Sequence, residues 1–370
     1  MSTSASPGTP TDPRTPDSGE GGAPPVDGRA GAAAGVVEYH RIHRLGAWGR
    51  HGWWRGLVGS IAAVVGVFIV MPVVLLLAFM AWFWATGAPV SDGVVALIDT
   101  NDVTPTSLAF LNLTLAAAIP VIWFVTLFLH GLRPRWVASV MPRLRWRWFV
   151  VALGLSVLAL MATLVVSALL PTTAADGVAV TGRLNDFTAT TRDFVLVVLL
   201  LTPLQAAGEE YLFRGYLTQA LGGLVRSPRL GLAVAVLVPA VLFALAHGAQ
   251  DPPVFVDRLA FGIVAGVLTI ATGGLEAAIA MHVLNNFLAF GLALAFGDMT
   301  SALNPTGGTW WSLPTTLTQS VVYTALAIVV ARRTGVATRT THGPSSTWPW
   351  RRAQVPGRPE GVLEGSDPRV

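Results

Sequence analysis

The sequence predicts an all-α fold, a polytopic membrane helix bundle of about eight transmembrane helices with disordered N- and C-terminal tails. Of the 370 residues, 53% are hydrophobic and only 12% are charged, and the mean hydropathy is +0.60. Soluble domains carry roughly twice that share of charge. Several apolar runs reach the roughly 20 residues that an α-helix needs to cross a bilayer. These observations exclude a soluble globular domain.

The first part of the chain, 1–50, is rich in Pro, Gly, Ser and Thr and poor in large apolar side chains. Such a composition buries too little surface to offset chain entropy, so it predicts a disordered cytoplasmic tail. The segment is too long for a cleaved signal peptide and lacks the early apolar core of one. Residues 336–370 have a similar composition and predict a second disordered tail. The segment between them, 51–335, is the predicted transmembrane helical domain.

Eight apolar segments follow one another in this domain, and each predicts a membrane-spanning helix. The fifth and sixth segments are short for a full crossing, and Pro239 interrupts the fifth. The predicted spans run at about 57–85, 107–130, 149–170, 194–215, 231–247, 259–272, 274–297 and 315–331.

The distribution of arginine predicts the orientation of these helices. The chain has no lysine, so arginine supplies every strong cation, and loops rich in arginine stay in the cytoplasm. Arginines collect before the first span, in the second and fourth loops and after the last span, whereas the other loops carry mainly aspartate. Eight crossings with both termini in the cytoplasm satisfy this pattern. The pI of about 10.3 therefore indicates membrane orientation rather than nucleic-acid binding.

Polar side chains inside the membrane concentrate in the fourth, fifth and seventh spans. The fourth contains Glu209, Glu210 and Arg214, the fifth contains Phe243 and His247, and the seventh contains His282 and Asn286. An ionised group in a bilayer costs several kcal/mol, so such groups persist mainly where they face one another or a hydrated cavity. We therefore expect the polar members of this set to form a single site.

Helical spacing divides the roles of these residues. Glu210 and Arg214 are four residues apart and can pair on one helix face, whereas Glu209 is rotated by about 100° and projects elsewhere. His282 and Asn286 also share a face. Each element alone has a structural explanation, either as a satisfied ion pair or as a hydrogen bond between helices. Counted along the predicted spans, Glu209 and His282 fall in the cytoplasmic half, whereas His247 falls nearer the opposite surface.

The stretches EEYLFR, FALAH and HVLNN carry these residues in order along the chain. They resemble the EExxxR, FxxxH and HxxxN motifs of the CPBP intramembrane proteases. This family includes the type II CAAX prenyl endopeptidases and bacterial proteins similar to lysostaphin resistance protein A. The resemblance covers about 190–297, which we take as the family core. It implies an all-helical bundle that hydrolyses a peptide bond within the membrane.

The resemblance also implies a role for each residue. Glu209 would be the general base that activates water, assisted by His247, and His282 and Asn286 would hold the developing oxyanion. The supporting residues would be Glu210, Arg214 and Phe243. A carboxylate whose pKa is raised by burial is an effective base for water, and donors aimed at the tetrahedral oxygen lower the barrier.

A metal-dependent mechanism stays open at this point, because members of this family have also been described as metalloproteases. Zinc would then be bound by Glu209, His247 and His282, since two histidines and a glutamate form a known catalytic ligand set. The chain lacks both the HExxH spacing of soluble zinc proteases and any cysteine. We therefore expect a glutamate-based mechanism without a cofactor.

Two other functions are compatible with the same residues. The bundle could be a non-catalytic membrane scaffold or a protein of the bacteriocin-immunity type. A proton-coupled transporter with Glu209 and His247 as a relay has less support, since the two halves show no inverted repeat. For the protease, the expected partners are a membrane-embedded peptide or a lipidated protein substrate and the lipid bilayer, with no nucleic acid. Arginine without lysine and abundant Ala and Gly suggest a GC-rich genome, hence a bacterial plasma membrane.

Overall fold

Helices account for nearly all of the chain that the structure describes, which confirms the predicted all-α fold. The computed structural model describes residues 36–45, 53–169, 183–248, 251–304, 310 and 312–340. Most of both predicted tails, at 1–35, 46–50 and 341–370, lies outside the described residues.

Two π-helical segments, Gly66–Val70 and Tyr211–Leu217, join consecutive α-helices into longer continuous rods. A 3-10 helix, Tyr39–Leu45, precedes the first α-helix. The α-helices are α1 (Trp53–Val65), α2 (Met71–Thr86), α3 (Val90–Ile98), α4 (Pro105–Ala116), α5 (Ala118–His130), α6 (Arg135–Ala138), α7 (Trp146–Leu169), α8 (Ala189–Glu210), α9 (Thr218–Leu224), α10 (Pro228–Ala246), α11 (Pro252–Thr272), α12 (Glu276–Phe296), α13 (Met299–Leu303) and α14 (Ser312–Arg333).

Seven helical rods among the described residues are long and apolar enough to cross a membrane. They are Trp53–Thr86, Pro105–His130, Trp146–Val166, Ala189–Leu224, Pro228–Ala246, Pro252–Thr272 and Glu276–Phe296. These rods coincide with the first seven predicted spans and confirm a multi-pass membrane bundle. The predicted eighth span lies within α14, which is not one of the seven but packs against α7 and α11.

The largest differences from the predicted bounds occur in the fourth and sixth spans. The fourth rod continues to Leu224 instead of ending near 215, because the π-helix carries the chain past Arg214 without a break. The fifth and sixth are full-length helices of 19 and 21 residues, each with a proline in its first turn. The predicted sixth span was too short because Asp257 and Arg258, in the first turns of α11, lower the local hydropathy. Pro239 lies inside α10 and does not end it.

Small residues allow α10 and α11 to pack closely. A Cβ atom added to Gly262 would lie 3.0 Å from both Cα and Cβ of Ala240. Close contact of backbones through small side chains is the usual way in which helices associate in lipid, where burial from water gives little driving force. The pair forms one wall of the region that holds Phe243 and Phe261, both of which are buried.

Residues 36–45 and 336–340 form structure that their composition does not predict. Strand β1 (Val37–Glu38) pairs antiparallel with β2 (Arg339–Thr340). In the 3-10 helix that follows β1, Tyr39 and Ile42 are fully buried, and the Tyr39 hydroxyl donates to the Val137 carbonyl at 2.5 Å. These apolar anchors occupy a few positions only, so an average over 50 residues conceals them.

Candidate active site

The charged residues of the fourth span lie where α8 meets the π-helix Tyr211–Leu217. Gly208 is packed so closely on the end of α4 that an added Cβ would collide with the Leu115 carbonyl oxygen. This contact holds the turn with Glu209 and Glu210 inside the bundle. Glu209, Glu210 and Arg214 are 8%, 0% and 1% exposed, so these charges are removed from bulk water.

Glu209 and His247 lie at similar distances from one end of the bundle. Helices α9 and α10 share the turn at 225–227, and they pack against each other. At 1.5 Å per residue, the stretch from Glu209 to Leu224 measures about 22 Å and the stretch from Pro228 to His247 about 28 Å. The predicted spans placed Glu209 and His247 at different depths mainly because the fourth predicted span ended at 215 instead of at Leu224.

Glu210 is the centre of the buried ionic group. Its Oε1 accepts a hydrogen bond from Arg214 Nη1 at 3.0 Å, as the four-residue spacing predicts. The same oxygen lies 2.8 Å from Nδ1 of His282, which reaches it from α12. One carboxylate oxygen therefore links the π-helix to α12.

Aromatic rings surround the guanidinium of Arg214. Its Cζ lies 4.1 Å from the ring centroid of Phe243, 5.6 Å from that of Phe261 and 6.0 Å from that of Phe213. Its Nε and Nη2 have no hydrogen-bond partner among the described residues. A guanidinium over ring faces is stabilised by their quadrupoles, most strongly where water is excluded. Phe243 therefore has an electrostatic contact with Arg214 as well as an apolar one.

The His282 ring lies between the two adjacent glutamates. Its Nε2 is 3.4 Å from Oε2 of Glu209, while its Nδ1 faces Glu210. Nδ1 of His282 is therefore taken up by Glu210, whereas its Nε2 faces Glu209 without forming a hydrogen bond.

Asn286 contacts a residue that the motifs do not contain. Its Nδ2 donates to Oε1 of Gln205 at 3.0 Å. Gln205 lies one turn before Glu209 on α8, and Asn286 lies one turn after His282 on α12. Two polar contacts therefore link α8 to α12, one between Glu210 and His282 and one between Gln205 and Asn286. The sequence feature that could have identified Gln205 is its position four residues before Glu209 in an otherwise apolar segment.

His247 lies at the edge of this group. It follows the last residue of α10, and its Nδ1 is 2.8 Å from the Phe243 carbonyl oxygen. The Phe243 ring centroid is 4.6 Å from that of His247 and 6.0 Å from that of His282. His247 also interacts electrostatically with Glu209, and it is more exposed than Glu209 or His282. The structure thus brings all seven predicted residues and Gln205 to one region, with Phe243 between the two imidazoles.

The described residues include no group of three or more His, Cys, Asp or Glu side chains arranged to hold a metal ion. In particular, Glu209, His247 and His282 do not form such a group. The His282 nitrogens face two carboxylates, and Phe243 lies between the two rings. The mechanism proposed below uses no metal.

A segment of the chain that contains most of this site matches a known protein family. Residues 191–288 match the family described as Type II CAAX prenyl endopeptidase Rce1-like, which confirms the resemblance over that segment. The chain is also 30% identical over 141 residues to a protein of Bacillus subtilis (strain 168) described as "Uncharacterized protein YyaK". That match covers 35% of this chain and 46% of the relative, so the chain spans about half the length of the curated relative it matches. No solved structure matches the chain significantly.

Proposed function

From the Rce1-like segment and the buried site within it, we propose that this protein is an intramembrane endopeptidase, similar to the CAAX proteases. It hydrolyses a peptide bond of a membrane-embedded or lipid-anchored substrate. The observation that carries the proposal is the His282 ring between Glu209 and Glu210, at 3.4 and 2.8 Å, inside a membrane-spanning bundle. A structural ion pair with Arg214 needs only Glu210. The adjacent Glu209 is therefore available for chemistry.

Glu209 is the general base in this proposal. Its Oε2 has no hydrogen-bond partner among the described residues, and Glu210 is the carboxylate that pairs with Arg214. Glu209 accepts a proton from water as the water oxygen attacks the substrate carbonyl carbon. The same proton then passes to the amide nitrogen as the carbon–nitrogen bond breaks. The products are a carboxyl group and an amine, and the acid is regenerated as carboxylate.

The other residues stabilise this chemistry. Asn286 donates an N–H group to the oxygen that becomes negative in the tetrahedral intermediate, and a donor of this kind is worth about 3–4 kcal/mol in favourable cases. His282 lies between the two carboxylates and links α12 to them. Glu210 and Arg214, with Phe243, hold His282 in place, and His247 assists Glu209 from the more exposed side.

The test uses full-length protein reconstituted in lipid vesicles with a lipid-anchored fluorogenic peptide library. We expect Glu209→Gln to lower the rate of cleavage by about 100- to 10,000-fold, the usual contribution of a general base. Asp193→Asn, which neutralises an exposed acid on the same helix, is the matched control and should keep wild-type activity. Full activity of Glu209→Gln would exclude this mechanism, and the absence of cleavage by any variant would favour a non-catalytic scaffold.

A further inference from the structure

Gln205 is a polar residue of the site whose role the motifs leave unexplained. It is 8% exposed on α8, one helical turn from the proposed base Glu209. Its Oε1 accepts the hydrogen bond from Asn286. A buried carboxamide in an apolar helix is costly unless its donors and acceptor are used.

The hydrogen-bond inventory of the two amides leaves donors unused. A carboxamide has two N–H donors and one carbonyl acceptor. Asn286 uses one N–H on Gln205, and Nε2 of Gln205 has no hydrogen-bond partner among the described residues. That nitrogen is also absent from the fully buried unpartnered atoms, so it keeps some accessible surface. If the oxygen and nitrogen of both amides are exchanged, N–H donors still remain unpaired.

We propose that Gln205 and Asn286 together form the oxyanion-binding pair, with Gln205 as a further catalytic residue. The inference rests on the proposed peptidase function. As the substrate carbonyl oxygen gains negative charge, it accepts one N–H from each carboxamide, and the direct Gln205–Asn286 bond holds the two side chains at a fixed spacing. This assignment adds an amide donor from α8 to the donor that Asn286 supplies from α12.

Two substitutions separate donation from positioning. Gln205→Met has a similar size and removes both the donors and the acceptor. Gln205→Glu keeps an oxygen acceptor for Asn286 but has no N–H to give when ionised. Because Gln205→Glu also adds a carboxylate one turn from Glu209, retained activity is its decisive result, and it would show that Gln205 only positions Asn286. If Gln205 donates to the oxyanion, both variants lose activity.

The experiment measures kcat and KM for both variants in reconstituted full-length protein, with Glu209→Gln as the inactive reference. The matched control is Gln219→Met, because Gln219 is a fully buried glutamine on α9 that donates to the Trp136 carbonyl at 3.0 Å. We expect kcat of both Gln205 variants to fall by about 100- to 1,000-fold with KM nearly unchanged, since only the transition state is affected. Gln219→Met should keep its kcat.

The outcomes are distinct. Near wild-type kcat in either Gln205 variant, beside an inactive Glu209→Gln, overturns the donor assignment alone. Equal activity of wild type and Glu209→Gln overturns the proposed function and this inference with it. In the Asn286→Ala background, Gln205→Met should have a smaller effect than in wild type, because residues that act as a unit are not additive. A full additional loss would contradict a shared oxyanion pair.

Discussion

The charge of Arg214 is buried, and its neutralisation depends on Glu210. Among the described residues, only Nη1 of the guanidinium hydrogen-bonds a carboxylate, and the rest of the group contacts the rings of Phe243, Phe261 and Phe213. Such a pair adds little stability compared with apolar residues of the same size, but breaking it leaves a buried charge without a partner. The site residues are therefore also required for the fold.

Arg214→Met should destabilise the protein by about 3–5 kcal/mol, because the buried carboxyl group of Glu210 would lose its hydrogen bond from the guanidinium. Thermal unfolding of the detergent-solubilised protein measures this loss. Arg332→Met, which removes an exposed arginine near the end of α14, is the control and should unfold like wild type. An Arg214→Met protein as stable as this control would mean that the pair is not needed to keep Glu210 in the core.

At the scale of elements, the sequence predicted which helices carry the site but not how far the fourth one extends. The pattern of charges singled out Glu209, Glu210 and Arg214, which the structure buries together, because charge is rare in an apolar segment. A π-helix has no comparable signature, since Tyr211–Leu217 contains ordinary helix-compatible residues. Gln205 was missed for a related reason, because an uncharged amide stands out less than an acid in a hydropathy profile.

The contact of α8 with α4 gives a prediction about the position of the site. Gly208→Ala should cost about 1–3 kcal/mol and reduce activity, because its Cβ would meet the Leu115 backbone, with the carbonyl carbon at 2.9 Å, and backbone cannot move aside cheaply. Gly154→Ala on α7 is the matched control, since an added Cβ there has no neighbour within 4 Å. Unfolding midpoints and cleavage rates measure both effects. Equal behaviour of the two variants would contradict close packing at Gly208.

The 3-10 helix Tyr39–Leu45 makes stability depend on pH. Burial holds the pKa of His43 well below its ordinary value of 6.5, and the neighbouring His130 acts in the same direction. The two rings stack with centroids 4.1 Å apart, and the Tyr216 ring lies 5.1 Å from His43. Arg55, whose Nη1 donates to the Leu129 carbonyl, adds positive charge near His130. Below pH 6.5 the unfolded chain therefore binds a proton that the folded chain does not.

Stability should consequently be full above pH 6.5 and fall as the pH decreases below it. At about 1.4 kcal/mol per pH unit for one proton, the loss through His43 between pH 6.5 and pH 5 is about 2 kcal/mol. His43→Phe keeps an aromatic ring but removes the titration, so it should be less sensitive to acid than wild type. Unfolding midpoints at pH 5 and pH 7.5 measure the difference. Equal acid sensitivity of both proteins would exclude His43 as the cause.

At the scale of the whole molecule, composition was sufficient to predict a multi-pass helical bundle, because the apolar runs are long and poor in charge. Composition did not predict the pairing of β1 with β2, since that contact joins residues 37–38 to residues 339–340 across nearly the whole chain. The pairing bears on topology. We expect two paired strands to lie on the same side of the membrane, with an even number of crossings between them and α14 as the eighth.

Both termini should therefore lie on the same side, and the arginines before α1 and after α14 predict that this side is the cytoplasm. Fusions of alkaline phosphatase and of a fluorescent protein to each end of the full chain measure this orientation in bacterial cells. We expect both phosphatase fusions to be inactive and both fluorescent fusions to be bright. Opposite results at the two ends would contradict the strand pairing, and active phosphatase at both would reverse the orientation.

The most direct test of peptide hydrolysis at this site follows the oxygen atom of water. Vesicles that contain the full-length protein and membrane peptides are incubated in oxygen-18-labelled water, and the new C-termini are analysed by mass spectrometry. We expect fragments that carry one labelled oxygen at the new carboxyl group with wild-type protein and none with Glu209→Gln. Labelled fragments in equal amounts from both proteins, or no new C-termini from either, would contradict a hydrolase built on Glu209.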